Sequence, residues 1–180
     1  MSDFSADRLK VTLAAYDPSW PELAKQESGR LAAAIGDTLV GIEHVGSTAI
    51  PGIAAKPIID LQPVVRSLAA LDARRPQVEA MGYQWRGEFG LPGRRYCTFD
   101  RDGVRIFQAH CYEQGNPEIA RTLVFRDYLR AHPAEASAYE TIKREAAAAH
   151  PADTLAYNDH KSAWILAARD RAEVWAARVK

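Results

Sequence analysis

The stretch Ile42-Glu43-His44-Val45-Gly46-Ser47-Thr48-Ala49-Ile50-Pro51-Gly52-Ile53-Ala54-Ala55-Lys56-Pro57-Ile58-Ile59-Asp60-Leu61 carries the strongest structural signal in the chain. It opens on the end of a short β-branched run, Thr38 to Val45, that Gly46-Ser47 cuts off, which reads as a strand closed by a tight turn. It ends inside a second strand, Pro57 to Val65. Strand side chains alternate with period two, so Ile58, Asp60, Gln62 and Val64 share one face, and Ile59, Leu61 and Val65 share the other. Asp60 and Gln62 therefore project side by side. Glu43 and His44 fall on opposite faces of the first strand, and His44, nearer the turn, is the one expected to look into a cleft.

This stretch couples a Gly-Ser turn to a strand-borne carboxylate. Glycine lets a phosphate approach the backbone, the hydroxyls and amides of Ser47 and Thr48 can donate to its oxygens, and a carboxylate on the next strand can hold Mg²⁺ against the same phosphate. A Gly-Ser turn alone is usually only a turn. An aspartate among aliphatic neighbours is more telling, because burying it unpaired is costly. Asp60 either binds a cation, pairs with a base such as Lys56 or Arg95, or faces a wet cleft.

Upstream, Asp17-Pro18-Ser19-Trp20-Pro21-Glu22 starts a helix whose Trp20, Leu23, Ala24, Glu27, Leu31, Ala34 and Ile35 recur at helical spacing until Gly36. Downstream, Leu68 to Met81 reads as a helix restarted at Pro76 and closed by Gly82. Tyr83 to Phe89, Arg95 to Asp100 and Val104 to Tyr112 read as three strands in two successive hairpins, an antiparallel part of the sheet. The last third is helical: Asn116 caps ahead of Pro117, Pro133 restarts, and a third helix is expected from Asn158 to Ala177. The pattern predicts an α+β fold, a mixed sheet flanked by helices with a C-terminal helical segment. One domain over residues 1–180 accommodates it, with a sheet core at about 16–115 and helices at about 116–180.

Composition narrows the function classes. With 47% hydrophobic and 26% charged residues the chain is globular rather than disordered. Its 23 basic residues are balanced by 23 acidic ones, which argues against a protein whose main work is neutralising nucleic-acid backbone. Met1 to Asp7 is polar and acidic, unlike a signal peptide, and no stretch reaches 18 apolar residues. No membrane partner and a cytoplasmic location are expected. Cys97 and Cys111 show no metal-ligand spacing and read as buried free thiols of a reducing compartment.

Further candidates lie outside the opening stretch. Arg94 and Arg95 follow a glycine-rich turn and are placed to clamp a phosphate or carboxylate, or else to pair with Glu88. Gln108, His110 and Tyr112 share a strand face, with His110 either a pocket base or a hydrogen-bonded structural residue, and His44 stands in the same position. On the last helix Lys161, Ile165, Ala168, Ala172 and Trp175 form an apolar stripe headed by Lys161, whose ammonium either reaches solvent or enters the cleft. Arg126 is a helical candidate, with an Arg126–Asp127 ion pair as the alternative. Trp164 and Trp175 are expected in the core.

Tyr16-Asp17-Pro18-Ser19-Trp20, the Glu43 to Leu61 run, Gly82-Tyr83, Gly93-Arg94-Arg95-Tyr96, Phe125-Arg126-Asp127-Tyr128-Leu129-Arg130, Tyr139 with Lys143, and Tyr157 with Lys161 together resemble the GrpB family of nucleotidyltransferase-like proteins. The resemblance implies the nucleotidyltransferase fold, in which a Gly-Ser turn precedes a strand bearing two alternating acids, with a third acid on a later strand. Asp60 matches the first acid, but Gln62 stands in the second position, and none of Gln108, His110 and Tyr112 is acidic. Where the family carries His-x-His on that later strand, this chain has Gln108 and His110. A site short of anionic ligands binds two Mg²⁺ ions poorly.

What the resemblance implies for function is transfer of a nucleotidyl group from a nucleoside triphosphate to a small acceptor. Gly46, Ser47, Thr48, Lys56, Arg94, Arg95, Arg126 and Lys161 would hold phosphate, Asp60 a Mg²⁺, and His110 or His44 would act as base. The competing reading keeps fold and pocket without the chemistry, as a module binding a nucleotide or small anionic metabolite. Fusion of family members to dephospho-coenzyme A kinases suits that accessory role. Histidine-based metal-dependent hydrolysis is a third reading.

Overall fold

A computed structural model describes residues 11–179 of the chain. The polar Met1 to Asp7 segment lies outside the described residues. Helix α1 (Trp20–Ile35) leads into strand β1 (Leu39–Val45), and a short 3-10 turn at Ser47–Ala49 and a loop lead to β2 (Ile59–Val65). Two short helices follow, α2 (Leu68–Ala73) and α3 (Arg75–Ala80), then β3 (Tyr83–Trp85), β4 (Arg94–Arg101) and β5 (Val104–Glu113). The chain continues with α4 (Pro117–Ala131), α5 (Pro133–Ala149) and α6 (Thr154–Val179). None of these helices is long and apolar enough to cross a membrane.

Among the described residues, five strands form one mixed sheet in the order β1-β2-β5-β4-β3. In it β2 and β5 pair in parallel, while β1 with β2, β3 with β4 and β4 with β5 run antiparallel. Register fixes which side chains share a face. Opposite residues lie on the same side, and the pairs Val45↔Asp60, Glu43↔Gln62, Asp60↔Gln108, Tyr96↔His110 and Arg94↔Tyr112 assemble one face. The reverse face carries Ile59, Leu61, Val65, Cys97, Phe107, Ala109 and Cys111, all packed with Trp20, Ala24, Leu31 and Ile35 of α1. Burying these aliphatic and aromatic groups at roughly 25 cal/mol per Å² is what commits that face to α1. Both cysteines are free and buried.

A second apolar cluster joins Ile50 and Ile53 of the β1–β2 loop to Tyr128, Leu129, Ala136, Tyr139 and Ala172 of the C-terminal helices, with Trp164 and Trp175 partly buried against it. Arg130 Nε donates to the Ala49 carbonyl at 2.8 Å, and the buried Lys143 ammonium donates to the Ala54 carbonyl. The loop after Gly46 is thus anchored to helices more than eighty residues away in sequence. α4, α5 and α6 stand over the polar face of the sheet, and the space between becomes a cleft.

Three elements differ from the sequence reading by more than a residue or two at an end. β3 ends at Trp85 rather than Phe89, because Gly87, Phe89 and Gly90 take positive φ (63°, 44° and 81°), outside the extended region of a regular strand. The predicted helix over 68–81 is two helices meeting at Arg74. α6 starts at Thr154 instead of Asn158, since Asp153 Oδ1 accepts from the Leu155 and Ala156 amides (3.0 and 3.1 Å) and caps it.

Candidate functional site

The cleft between sheet and helices has a volume of about 470 Å³ and is lined by Gly46, Ser47, Lys56, Asp60, Arg94, His110 and Lys161 among others. At its floor Asp60 meets the turn that ends β1. Gly46 has φ 72°, and a Cβ placed there would collide with Asp60 Oδ2 and stand 3.0 Å from its Cβ and Cγ. Glycine is demanded twice over at this position, by the backbone conformation and by the carboxylate packed against it. Ser47 Oγ donates to Tyr139 Oη at 3.1 Å, and that ring stacks on Trp164 (5.3 Å, 13°).

Asp60 Oδ1 lies 3.3 Å from His110 Nε2, and His110 Nδ1 lies 3.4 Å from Arg94 Nη1. A guanidinium can only donate, so Nδ1 accepts and the ring proton sits on Nε2, directed at Asp60. Arg94 is buried and also holds the Glu88 and Phe89 carbonyls (3.2 and 2.8 Å). At the other side of the cleft the Lys56 and Lys161 ammoniums each lie 5.1 Å from the centroid of the Tyr157 ring. Burial pulls the Lys161 ammonium down from 10.5 to about 8, a shift partly offset by the nearby Asp60 charge.

Two expected site residues lie elsewhere. His44 pairs with Leu61 across the β1–β2 ladder and so points to the face opposite Asp60. Its Nε2 donates to Thr48 Oγ1 (2.9 Å), which in turn donates to the Ile58 carbonyl (3.4 Å), and burial depresses its pKa from 6.5 to about 4. His44 is a neutral brace of the turn, and Glu43 is the residue on the Asp60 face. Arg95 also points away from the cleft, where Asp72 of α2 takes it bidentately at 2.6 and 2.8 Å; Glu88, the partner weighed from sequence, is 3.8 Å away. Arg94 occupies the cleft position.

Arg126 and Thr48 reach the cleft with their polar groups engaged. Arg126 bonds Glu43 (2.8 Å), the His44 carbonyl (3.0 Å) and both oxygens of Asp127. Arg126 thus ties α4 to β1 and is not an open phosphate clamp. Gln62, buried in the second acidic position, donates from Nε2 to the Ile119 carbonyl at 3.3 Å.

The lining also contains Phe89, Tyr96, Arg105, Glu118, Tyr139, Tyr157 and Arg169, which the sequence reading did not name as site residues. Arg105 arrives through a bulge, since Phe99 pairs with Phe107 while Asp100 pairs with Arg105. Only the Gly87, Gly90, Gly93 spacing hinted that Phe89 sits on a special loop. The basic lining residues outnumber the acidic ones, Asp60 and Glu118. Glu118 is tied to Arg121 and Arg169, and Arg105 is paired with Asp100.

Asp60 supplies one carboxylate. Among the described residues no group of three His, Cys, Asp or Glu side chains is arranged to hold a metal ion. This donor set fits a Mg²⁺ bound mostly through phosphate oxygens of its ligand, which needs one or two protein carboxylates, and does not fit a pair of metal ions.

A family model described as GrpB protein matches residues 10–171. The chain belongs to the GrpB family. GrpB relatives include the UPF0157 protein YqkA of Bacillus subtilis, 44% identical over 93% of this chain and 49% of YqkA. The UPF0157 protein BH1888 of Halalkalibacterium halodurans is 35% identical over 96% of this chain and 87% of its own length. A dephospho-CoA kinase of Mycolicibacterium paratuberculosis is 33% identical over 94% of this chain and 47% of the kinase. The chain spans about half the length of YqkA and of that kinase. Among solved structures, the conserved protein GrpB of Enterococcus faecalis superposes with a TM-score of 0.86 at 37% identity, covering 91% of this chain and 99% of that one. Cid1 in complex with the UTP analog UMPNPP reaches 0.50 at 11% identity, covering 79% of this chain and 44% of Cid1, a likeness of fold alone. The GrpB fold is thus the α+β nucleotidyltransferase-like one.

Proposed function

We propose that this GrpB protein binds a nucleoside triphosphate in the cleft and transfers its nucleotidyl group to a small acceptor. The observation that carries this reading is the convergence of the Gly46–Ser47 turn on the Asp60 carboxylate inside a cleft with basic walls. An anion entering there meets the Lys56 and Lys161 ammoniums on one side and the Gly46–Ser47 turn, packed on Asp60, on the other. A Mg²⁺ carried on the phosphates would be held by Asp60 and would offset charge on them. His110, with its Nε2 proton toward Asp60 and its Nδ1 held by Arg94, lacks the open lone pair a general base needs. It orients the carboxylate instead, keeping one oxygen engaged and the other at the turn. Lys161, partly desolvated, gains more from a phosphate than an exposed lysine would. The ligand class is a nucleotide, not a nucleic-acid backbone, and the compartment proposed is the cytoplasm.

Gln62 favours a second reading, in which the cleft binds a nucleotide or small anionic metabolite without turnover, because a neutral amide stands where transfer chemistry uses an anionic ligand. An accessory role beside coenzyme metabolism agrees with the longer relatives named dephospho-CoA kinase.

Calorimetry of ATP binding with and without Mg²⁺ tests both readings. Mg²⁺ is expected to tighten ATP binding in the wild-type protein, and Asp60→Asn to remove that dependence while leaving metal-free binding nearly intact. Pyrophosphate release in a screen of hydroxyl acceptors separates transfer from binding. Absence of ATP binding, or a Mg²⁺ dependence that survives the Asp60→Asn substitution, overturns the proposal.

A further inference from the structure

The β3–β4 connection has no part in the phosphate-binding arrangement, yet it is built at some cost. Gly87, Gly90 and Gly93 take positive φ without strain, but Phe89, at 44°, does not. A left-handed backbone is disfavoured for any residue with a Cβ, and such conformations persist where surrounding contacts impose them. Here the imposing contact is Arg94, whose guanidinium bonds the Phe89 and Glu88 carbonyls (2.8 and 3.2 Å) from its buried position. Gly93, at the end of the same loop, packs against Asn116, the cap of α4, where an added Cβ would meet Nδ2 at 3.3 Å.

This arrangement sets three rings in a row along one end of the cleft. Phe89 lies 5.2 Å from Tyr96 at 33°, and Tyr96 lies 5.1 Å from His110, also at 33°. The row ends at Asp60 through His110 Nε2. Tyr96 is buried, whereas Phe89 at the outer end keeps partial exposure. The facing wall supplies polar groups from α4 and α6: Glu118, Thr122 and Arg169. Arg169 pairs with Glu118 through Nη1 (3.5 Å), while its Nε is buried with no hydrogen-bond partner among the described residues. An aromatic shelf faced by a few convergent polar groups is the usual construction of a site for a planar ligand ring.

We propose that the Phe89–Tyr96 shelf is the nucleobase subsite, so that the base stacks at the Phe89 end and the triphosphate extends past Asp60 to Lys56 and Lys161. This assignment rests on the nucleotide reading of the cleft and extends it. It explains why a phenylalanine is kept in a left-handed conformation where a fourth glycine would be easier, and why Arg94 couples that loop to the ring beside Asp60. The polar groups opposite are placed for the edge of the base, and the ring stack itself accepts any base, since every base presents a π face.

The test compares ATP with inorganic tripolyphosphate by calorimetry in Mg²⁺ for the wild-type protein, Phe89→Gly and Phe89→Tyr. Glycine suits the observed φ, so F89G removes the ring while relieving backbone strain; that relief offsets the lost ring contact with Tyr96 and the freer unfolded chain, and its thermal melt is expected to stay within a few degrees of the wild type's. ATP affinity is expected to fall about tenfold or more in F89G, as for loss of one base–aromatic stack, and to stay within about twofold in F89Y. Tripolyphosphate affinity is expected to be the same in all three proteins. Unchanged ATP affinity in F89G, or wild-type protein that binds tripolyphosphate as tightly as ATP, overturns the subsite and leaves the phosphate site standing. Failure of the wild-type protein to bind either compound overturns both.

Discussion

Replacing Gly46 by alanine tests the contact on which the site is built. An alanine at φ 72° bears a left-handed penalty of about 1–2 kcal/mol, partly offset by about 0.4–1 kcal/mol of reduced freedom in the unfolded chain. The added methyl would also overlap Asp60 Oδ2, far inside van der Waals contact. Either the carboxylate swings off His110 or the turn shifts, and overpacking of this kind costs about 1–3 kcal/mol more. Gly52 supplies the control, because its φ is 82° and nothing lies within 4 Å of the Cβ it lacks. Gly52→Ala bears the backbone penalty alone. In urea unfolding, with a slope near ~2 kcal/mol per M, the midpoint of Gly46→Ala is expected about 0.5–1.5 M below that of Gly52→Ala. ATP affinity is expected to drop only in the first. Combining Gly46→Ala with Asp60→Ala, which removes the oxygen in the way, is expected to bring the alanine's cost toward that at position 52. Equal midpoints and equal ATP affinities in the two single variants would refute the claim that turn and carboxylate are packed as one unit.

Arg95→Ala is expected to leave ATP affinity unchanged and to lower stability by no more than about 1 kcal/mol, because its bidentate pair with Asp72 lies on the other face and is partly exposed; a loss of affinity beyond about threefold would put Arg95 back in the site. Lys161 is charged below about pH 8 in the folded protein and below about pH 10.5 in the unfolded chain. Tripolyphosphate affinity is therefore expected to be full below about pH 8 and to weaken as pH rises through it, a dependence that Lys161→Met flattens in calorimetry across about pH 6.5–9.5. The same depression predicts that folding stability gains from this group as pH rises from about 8 toward 10.5, since the unfolded chain then holds the proton the folded one has released.

Period-two alternation made Asp60 and Gln62 neighbours and put Gln108, His110 and Tyr112 on one face, because that relation is local to a strand and needs no partner. The turn was equally legible: Gly46-Ser47 between two β-branched runs has few other readings. So was the fold class, since strands and helices announce themselves by different periods. Alternation says which residues share a face and is silent about which face meets the cleft. That is settled by where α1 packs and by the pairing of β1 with β2, so Glu43 rather than His44 joined Asp60, and Arg94 rather than Arg95 entered the site. The bulge that re-aims Arg105, the left-handed Phe89 and the approach of Lys161 from a helix far beyond Asp60 in sequence are products of tertiary contact. Local sequence determines conformation a few residues at a time, whereas a cleft is made of distances between segments, and those follow from which surfaces bury the most apolar area together.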